Sequence, residues 1–198
     1  YEFELSGECF KKYGKTGSTK HPTLLLRVEI QPNNSAIITH TRAVKFPEEY
    51  AIGNFPNDGI EGLTFGAGRT LYLGLEKDQK GKARIFELQI SEDFWKEKEM
   101  AEVTDSQFSL PEINDGKNHP INALAYYPSN GTSGFIFAAA RNDNQVWVID
   151  TLKQKPSQII DLEFLAESLS DKCPQWQSMN NYSICLLYTS PSPRDSDQ

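Results

Sequence analysis

Cysteine is scarce in this sequence, with three in 198 residues. Cys9, Cys173 and Cys185 have no metal-ligand spacing, which excludes the paired-cysteine zinc sites. A disulfide between Cys9 and Cys173 stays open beside the simpler reading of two free thiols. Histidine is as rare. His21, His40 and His119 stand apart, and none belongs to a zinc or nucleophile motif. There is no Gly-x-Ser-x-Gly elbow and no phosphate-cradling glycine loop, so serine-hydrolase and nucleotide-binding readings have no support. Positive charge is in deficit: 20 Lys and Arg face 27 Asp and Glu, a net charge of −7. A nucleic-acid partner would call for a basic patch instead. No apolar run approaches the roughly 18 residues of a membrane-spanning segment.

What the chain does have is an internal repeat. Ile60-Glu61-Gly62-Leu63-Thr64-Phe65 aligns with Ile121-Asn122-Ala123-Leu124-Ala125-Tyr126, and Ile85-Phe86-Glu87-Leu88 aligns with Val146-Trp147-Val148-Ile149, both at a spacing of 61 residues. Within the first copy, Glu61 to Phe65 is a short apolar-rich strand broken by Gly66-Ala67-Gly68. Thr70 to Glu76 is a second strand, and Lys77 to Lys82 is a polar turn with one glycine. Ala83 to Ile90 alternates, with Ile85, Glu87 and Gln89 on one face and Phe86, Leu88 and Ile90 on the other, the period of a strand. A weaker outer strand is expected near Met100 to Phe108. Ser91 to Glu97 is open to a single helical turn capped by Ser91. The second copy predicts strands over Ile121–Tyr127, Phe135–Arg141, Gln145–Asp150 and Ser157–Phe164. A partial third copy precedes both: Leu25 to Ile30 matches Ile85 to Ile90, Ala36 to Phe46 follows as an outer strand, and Tyr1 to Ser6 is read as its second strand.

Four short strands per repeat predict an all-β fold, a partial β-propeller of two complete blades and one partial blade. The rival is a β-sandwich, which also carries many short strands but has no reason to repeat a four-strand module at constant spacing. The expected layout is one propeller domain over 1–184: a partial blade at 1–50, blades at 57–110 and 119–165, and the start of another at 170–184. The chain opens at Tyr1 inside a predicted strand, with neither Met nor signal peptide. The run Cys185-Leu186-Leu187-Tyr188-Thr189-Ser190-Pro191-Ser192-Pro193-Arg194-Asp195 is similar to the in-frame translation of a sequencing-library adapter. On that reading 185–198 is a disordered, non-native tail. Removing its Arg194, Asp195 and Asp197 leaves 19 basic and 25 acidic side chains, net −6. Asn33, Asn130 and Asn181 begin formal glycosylation sequons, which an Asn-rich chain produces by accident.

Candidate chemistry lies at one rim, where the first strand of a blade starts and the second ends. That rim carries Asn57, Asp58 and Glu61 on one side and Glu76, Lys77 and Asp78 on the other. If Phe65 pairs with Tyr72, Glu61 and Glu76 face each other with Cβ atoms roughly 4.5–5.5 Å apart, a repulsion that a proton or a hard cation such as Ca²⁺ relieves. If Phe65 pairs with Leu71, the two point to opposite faces and the argument fails. The bland alternative is that Asn57-Asp58-Gly59 is only a turn and that Glu61 pairs with an arginine such as Arg84. The second copy has Asn122 and Ala140 in the aligned positions, so the acidic pair is not part of the repeat's structural pattern. Lys77 and Arg141 align just past the second strand as anion contacts or as solvated strand ends. Asn142-Asp143-Asn144 reads as a hairpin turn.

The run Asn57 to Phe65, then Gly68 to Glu76, then Arg84-Ile85-Phe86-Glu87-Leu88 resembles the "esterase-like activity of phytase" propeller family. The resemblance covers 57–90 best, extends over 1–56, and is vaguer over 117–164. It implies an exported β-propeller, extracellular or periplasmic, with hydrolysis of phosphate or carboxylic esters and Ca²⁺ dependence. By position Asp58, Glu61 and Glu76 would be the metal ligands and Lys77 an anion contact. Gly59, between Asp58 and Glu61, departs from the family pattern. Two functions follow as expectations: a metal-assisted hydrolase of a small ester or phosphoester, and a non-catalytic propeller that binds a protein or a glycan on its rim. Residues 1–184 alone are expected to be poorly soluble, because incomplete propellers expose sheet faces and edges.

Overall fold

The structure, a computed structural model, describes residues 23–52, 59–129, 131 and 133–164. The predicted strand at Tyr1 to Ser6, the further blade at 170–184, the tail at 185–198, Asp58 and both candidate disulfide cysteines lie outside the described residues. The chain is mostly β, arranged as three sheets of three or four strands, none of them closed on itself. A propeller is therefore neither completed nor required by the described residues.

β1 (Leu24–Ile30) and β2 (Ala36–Lys45) form an antiparallel hairpin. The second sheet has the order β3 (Ile60–Phe65), β4 (Thr70–Leu75), β5 (Arg84–Gln89) and β7 (Thr104–Asp105). The third has β8 (Ile121–Pro128), β9 (Gly134–Ala140), β10 (Gln145–Asp150) and β11 (Lys155–Asp161), again consecutive neighbours. The repeat read in the sequence is thus a repeat of sheets. Cross-strand partners make it concrete: Leu63 pairs Leu73 and Leu73 pairs Phe86, while Leu124 pairs Ala138 and Ala138 pairs Trp147. The first and third strands are displaced by 61 residues between sheets and the second by 65. The first loop gains four residues and the second loses four.

Two details depart from expectation. The predicted outer strand over Met100–Phe108 is split. β6 (Ala101–Glu102) pairs in parallel with the end of β2, and β7 pairs antiparallel with β5, so one short segment stitches two sheets together. Residues 91–97 form hydrogen-bonded turns rather than a helix, with Phe94 N–H donating to Ser91 C=O and Lys96 N–H to Asp93 C=O.

The middle strand β4 is buried on both faces, and β5 largely so, with alternate side chains meeting different neighbours. Leu71, Leu73, Leu75, Phe86 and Leu88 face the first hairpin with Val44, Phe46 and Phe94. Tyr72 and Ile85 face the third sheet with Ile121, Leu124, Ile136, Trp147 and Ile149. Phe46 and Phe86 meet edge-on at 5.2 Å between centroids, a favoured aromatic geometry. The buried Trp147 indole satisfies its N–H on Gln145 Oε1 at 3.0 Å. Glycines set the distance between the inner strands. A Cβ on Gly62 would stand 2.8 Å from Leu124 Cγ and 2.9 Å from its backbone nitrogen, so β3 approaches β8 only because position 62 has no side chain.

Candidate functional site

The repeated sheets share one rim, formed by the starts of β3 and β8 and the ends of β4 and β9. Phe65 pairs with Leu71, Thr64 with Tyr72 and Gly62 with Gly74. A bulge then absorbs Glu61, so that Ile60 pairs with Leu75. The third sheet bulges at the same place: Ala123 pairs with Ala139, Ile121 with Ala140, and Asn122 is the extra residue. Bulges re-aim a side chain at a strand end, and both sheets use one at this rim.

This register decides the carboxylate question. Phe65 opposite Leu71 is the pairing that does not set Glu61 and Glu76 face to face. Glu61 is exposed on the bulge. Glu76 is half-buried just past β4, where its N–H donates to Gly59 C=O at 3.1 Å. Asp58 lies outside the described residues. Among the described residues no three His, Cys, Asp or Glu side chains are grouped to hold a metal ion. Glu61 and Glu76 are thus two rim carboxylates with no third metal-ligating side chain grouped with them among the described residues. Arg84, the suggested structural partner of Glu61, is paired elsewhere, with Asp78 and Asp105.

The register also corrects two equivalences. Ala140 takes the place of Leu75, not of Glu76, and Arg141 takes the place of Glu76, not of Lys77. The second rim thus has Asn122 for Glu61 and Arg141 for Glu76, a reversal of charge on the same backbone frame. Arg141 is exposed, and its backbone N–H donates to Asn122 Oδ1 at 3.2 Å. Lys77 is exposed beside Glu76.

Two aspartates follow these strand ends at equal distance, Asp78 three residues past Leu75 and Asp143 three past Ala140. Asp78 is bonded on both oxygens. Its Oδ1 accepts the backbone N–H groups of Lys80 (2.8 Å) and Lys82 (2.9 Å), and its Oδ2 accepts Arg84 Nε–H (2.8 Å). Burial disfavours its charge, but the Lys82, Arg84 and Lys80 donors outweigh burial and hold the carboxyl below its usual range. Arg84 then reaches Asp105 Oδ2 through Nη1 at 2.9 Å and lies over the Tyr50 ring at 4.2 Å, while Tyr50 O–H donates to the same Asp105 oxygen at 2.8 Å. A concavity of about 530 Å³ adjoins this network. The charged groups on its wall are already engaged, Arg84 with Asp78 and Asp105, and Lys82 with Glu112.

Asp143 is bonded differently. Its turn is a short 3₁₀ segment, Arg141–Asp143, closed by Asn144 in the left-handed region (φ 51°). Asp143 Oδ1 meets His119 Nδ1, and Oδ2 is buried with no hydrogen-bond partner. Burial pushes the Asp143 carboxyl above its usual range. His119 pulls the other way, and the negative charge of Asp115 adds to the rise. Sequence reasoning kept His119 as isolated and Asp143 as part of a turn. They stand 24 positions apart with no motif linking them, and the contact exists because the connection before β8 folds back over the β9–β10 turn.

No protein-family model matches this chain, and no match is found among curated proteins.

Proposed function

We propose that this protein is a repeat-sheet scaffold of the propeller type that binds a protein or glycan ligand on the rim carrying Glu61, Glu76, Asn122 and Arg141. One observation carries the reading. Two sheets with the same strand order and the same bulge present different polar groups at equivalent rim positions, Glu61 against Asn122 and Glu76 against Arg141. Packing inside the sheets is repeated, whereas rim chemistry is not. A constant frame with variable polar ends is how a scaffold recognises an external partner. No described helix is long and apolar enough to cross a membrane.

A second reading, ester or phosphoester hydrolysis aided by calcium, rests on the resemblance over 57–90, which names Asp58, Glu61 and Glu76, and on Glu61 and Glu76 standing at that same rim. The two readings separate in one pair of measurements on the full chain. A glycan array and a panel of immobilised proteins, probed with wild type and Arg141→Ala, should show a ligand whose binding the substitution weakens about tenfold, as expected for a lost charged contact. Blank arrays, together with a calcium-induced rise in melting temperature that Glu61→Gln abolishes, would transfer the assignment to the hydrolase.

A further inference from the structure

The bonding of Asp143 is incomplete in a way that no packing requirement explains. Its side chain is about one-tenth exposed. Among the described residues its Oδ2 has no partner, and its one side-chain partner is His119, which is about one-third exposed. The two belong to different pieces of chain. His119 ends the connection between the second and third sheets, and Asp143 sits in the β9–β10 turn. That connection is itself ordered by polar contacts: Asn118 Nδ2 donates to the carbonyls of Leu110 and Pro111, and Asp115 closes the turn by accepting Lys117 N–H. The charged groups that act on Asp143 are His119 and Asp115, both from the connection; the exposed Arg141 shares its turn.

We propose that His119 and Asp143 form a proton-operated clasp that fastens the inter-sheet connection to the rim turn. With the imidazole protonated, the pair is neutral overall and Nδ1–H donates to Oδ1. When one proton leaves the pair, the imidazole can still donate, but the buried carboxylate then carries an uncompensated charge. That charge has one bare oxygen and faces Asp115. The connection is therefore held tightly in mild acid and loosened as pH rises. The rise in the Asp143 carboxyl has the matching sign, since a group that binds its proton more readily when folded favours the folded chain as pH falls. The clasp also bears on the rim: Asp143 lies two residues past Arg141 and His119 three before Asn122, the pair joined at 3.2 Å. The inference does not depend on the rim binding a ligand.

The test is thermal unfolding of the full chain as wild type, Asp143→Asn and His119→Gln. Asp143→Asn keeps an acceptor for His119 but carries no charge. It should melt about 3 °C above wild type near pH 8 and fall level with or below it near pH 5.5, on the scale at which about 1 kcal/mol moves a chain of this size by a few degrees. His119→Gln should lose stability relative to wild type on acidification, because glutamine cannot take up the proton. Gaps that stay constant with pH for both variants would overturn the clasp. If Asp143→Asn fails to fold, a pH-independent gap for His119→Gln would overturn it alone, and a gap that widens in acid would uphold it.

Discussion

Asp78 and Asp143 stand at the same place in two copies of one sheet, and their surroundings are opposite. Asp78 has three N–H donors on its two oxygens, including a guanidinium that links it to Asp105 and Tyr50. Asp143 has one histidine and an orphan oxygen. The longer β4–β5 turn makes the difference: with eight residues between the strands, Lys80 and Lys82 can fold their N–H groups back onto Asp78. The four-residue β9–β10 turn has no backbone to spare, so its aspartate takes a partner from the neighbouring connection. Loop length, at fixed strand geometry, thus sets whether a rim carboxylate is a structural bolt or a group still open to protons.

The largest expected effect follows from removing the bolt. Asp78→Ala strips two backbone donors and leaves Arg84 with one carboxylate, and should cost about 2–4 kcal/mol in denaturant unfolding. Asp143→Ala should cost less than about 1 kcal/mol at neutral pH, because it also removes a poorly solvated charge. Equal losses at the two sites would end the comparison.

Next in size is the response to acid, where the two carboxyls should oppose each other. The depressed folded pKa of Asp78 gives stability that is present above about pH 4 and lost as pH falls through the still lower folded value. The raised folded pKa of Asp143 gives a cost that is present above the folded value and removed as pH falls toward about 4. Wild type minus Asp78→Asn should therefore shrink below about pH 4, while wild type minus Asp143→Asn should move in favour of wild type as pH falls toward that value. The same slope at both sites would mean that Asp143 is not held in the environment described.

The strands themselves were legible because period-two alternation survives wherever a face is buried. β10 was read to the residue, and β3, β4, β5, β8 and β9 to within one or two. The partners of strands were less legible. Nothing in Met100 to Phe108 tells that Ala101–Glu102 joins β2 while Thr104–Asp105 joins β5, since a segment that changes sheets alternates like any other. The rim register was hidden by the bulge. The longer first loop of the third sheet displaces its second strand by 65 residues, so Arg141, 64 residues from Lys77, takes the place of Glu76 in space. Gly62 held a clue, because a glycine inside a strand marks a bulge or a close backbone approach, and here it marks both. The His119–Asp143 contact had no sequence signal of its own. It depends on how the connection before β8 crosses a turn, which neither periodicity nor spacing encodes.

The smallest expected effect belongs to the residue on which the metal reading leaned most. Glu61 is exposed on its bulge, and its counterpart in the third sheet is the neutral Asn122. If the bulge is a backbone feature indifferent to charge, Glu61→Gln should change stability by less than about 0.5 kcal/mol, the usual range for an exposed site. Added calcium should then leave the melting temperature of both forms alike. Asn122→Asp is the sharper partner, since it places a carboxylate where Asn122 Oδ1 now accepts the Arg141 N–H. A carboxylate accepts that bond at least as well, so the third-sheet bulge should tolerate the charge with a change of similarly small size. A calcium response that appears in Asn122→Asp but not in wild type would show that the frame can be made into a cation site by one side chain. A response in wild type that Glu61→Gln removes would show that the second sheet, with residues outside those described, already is one.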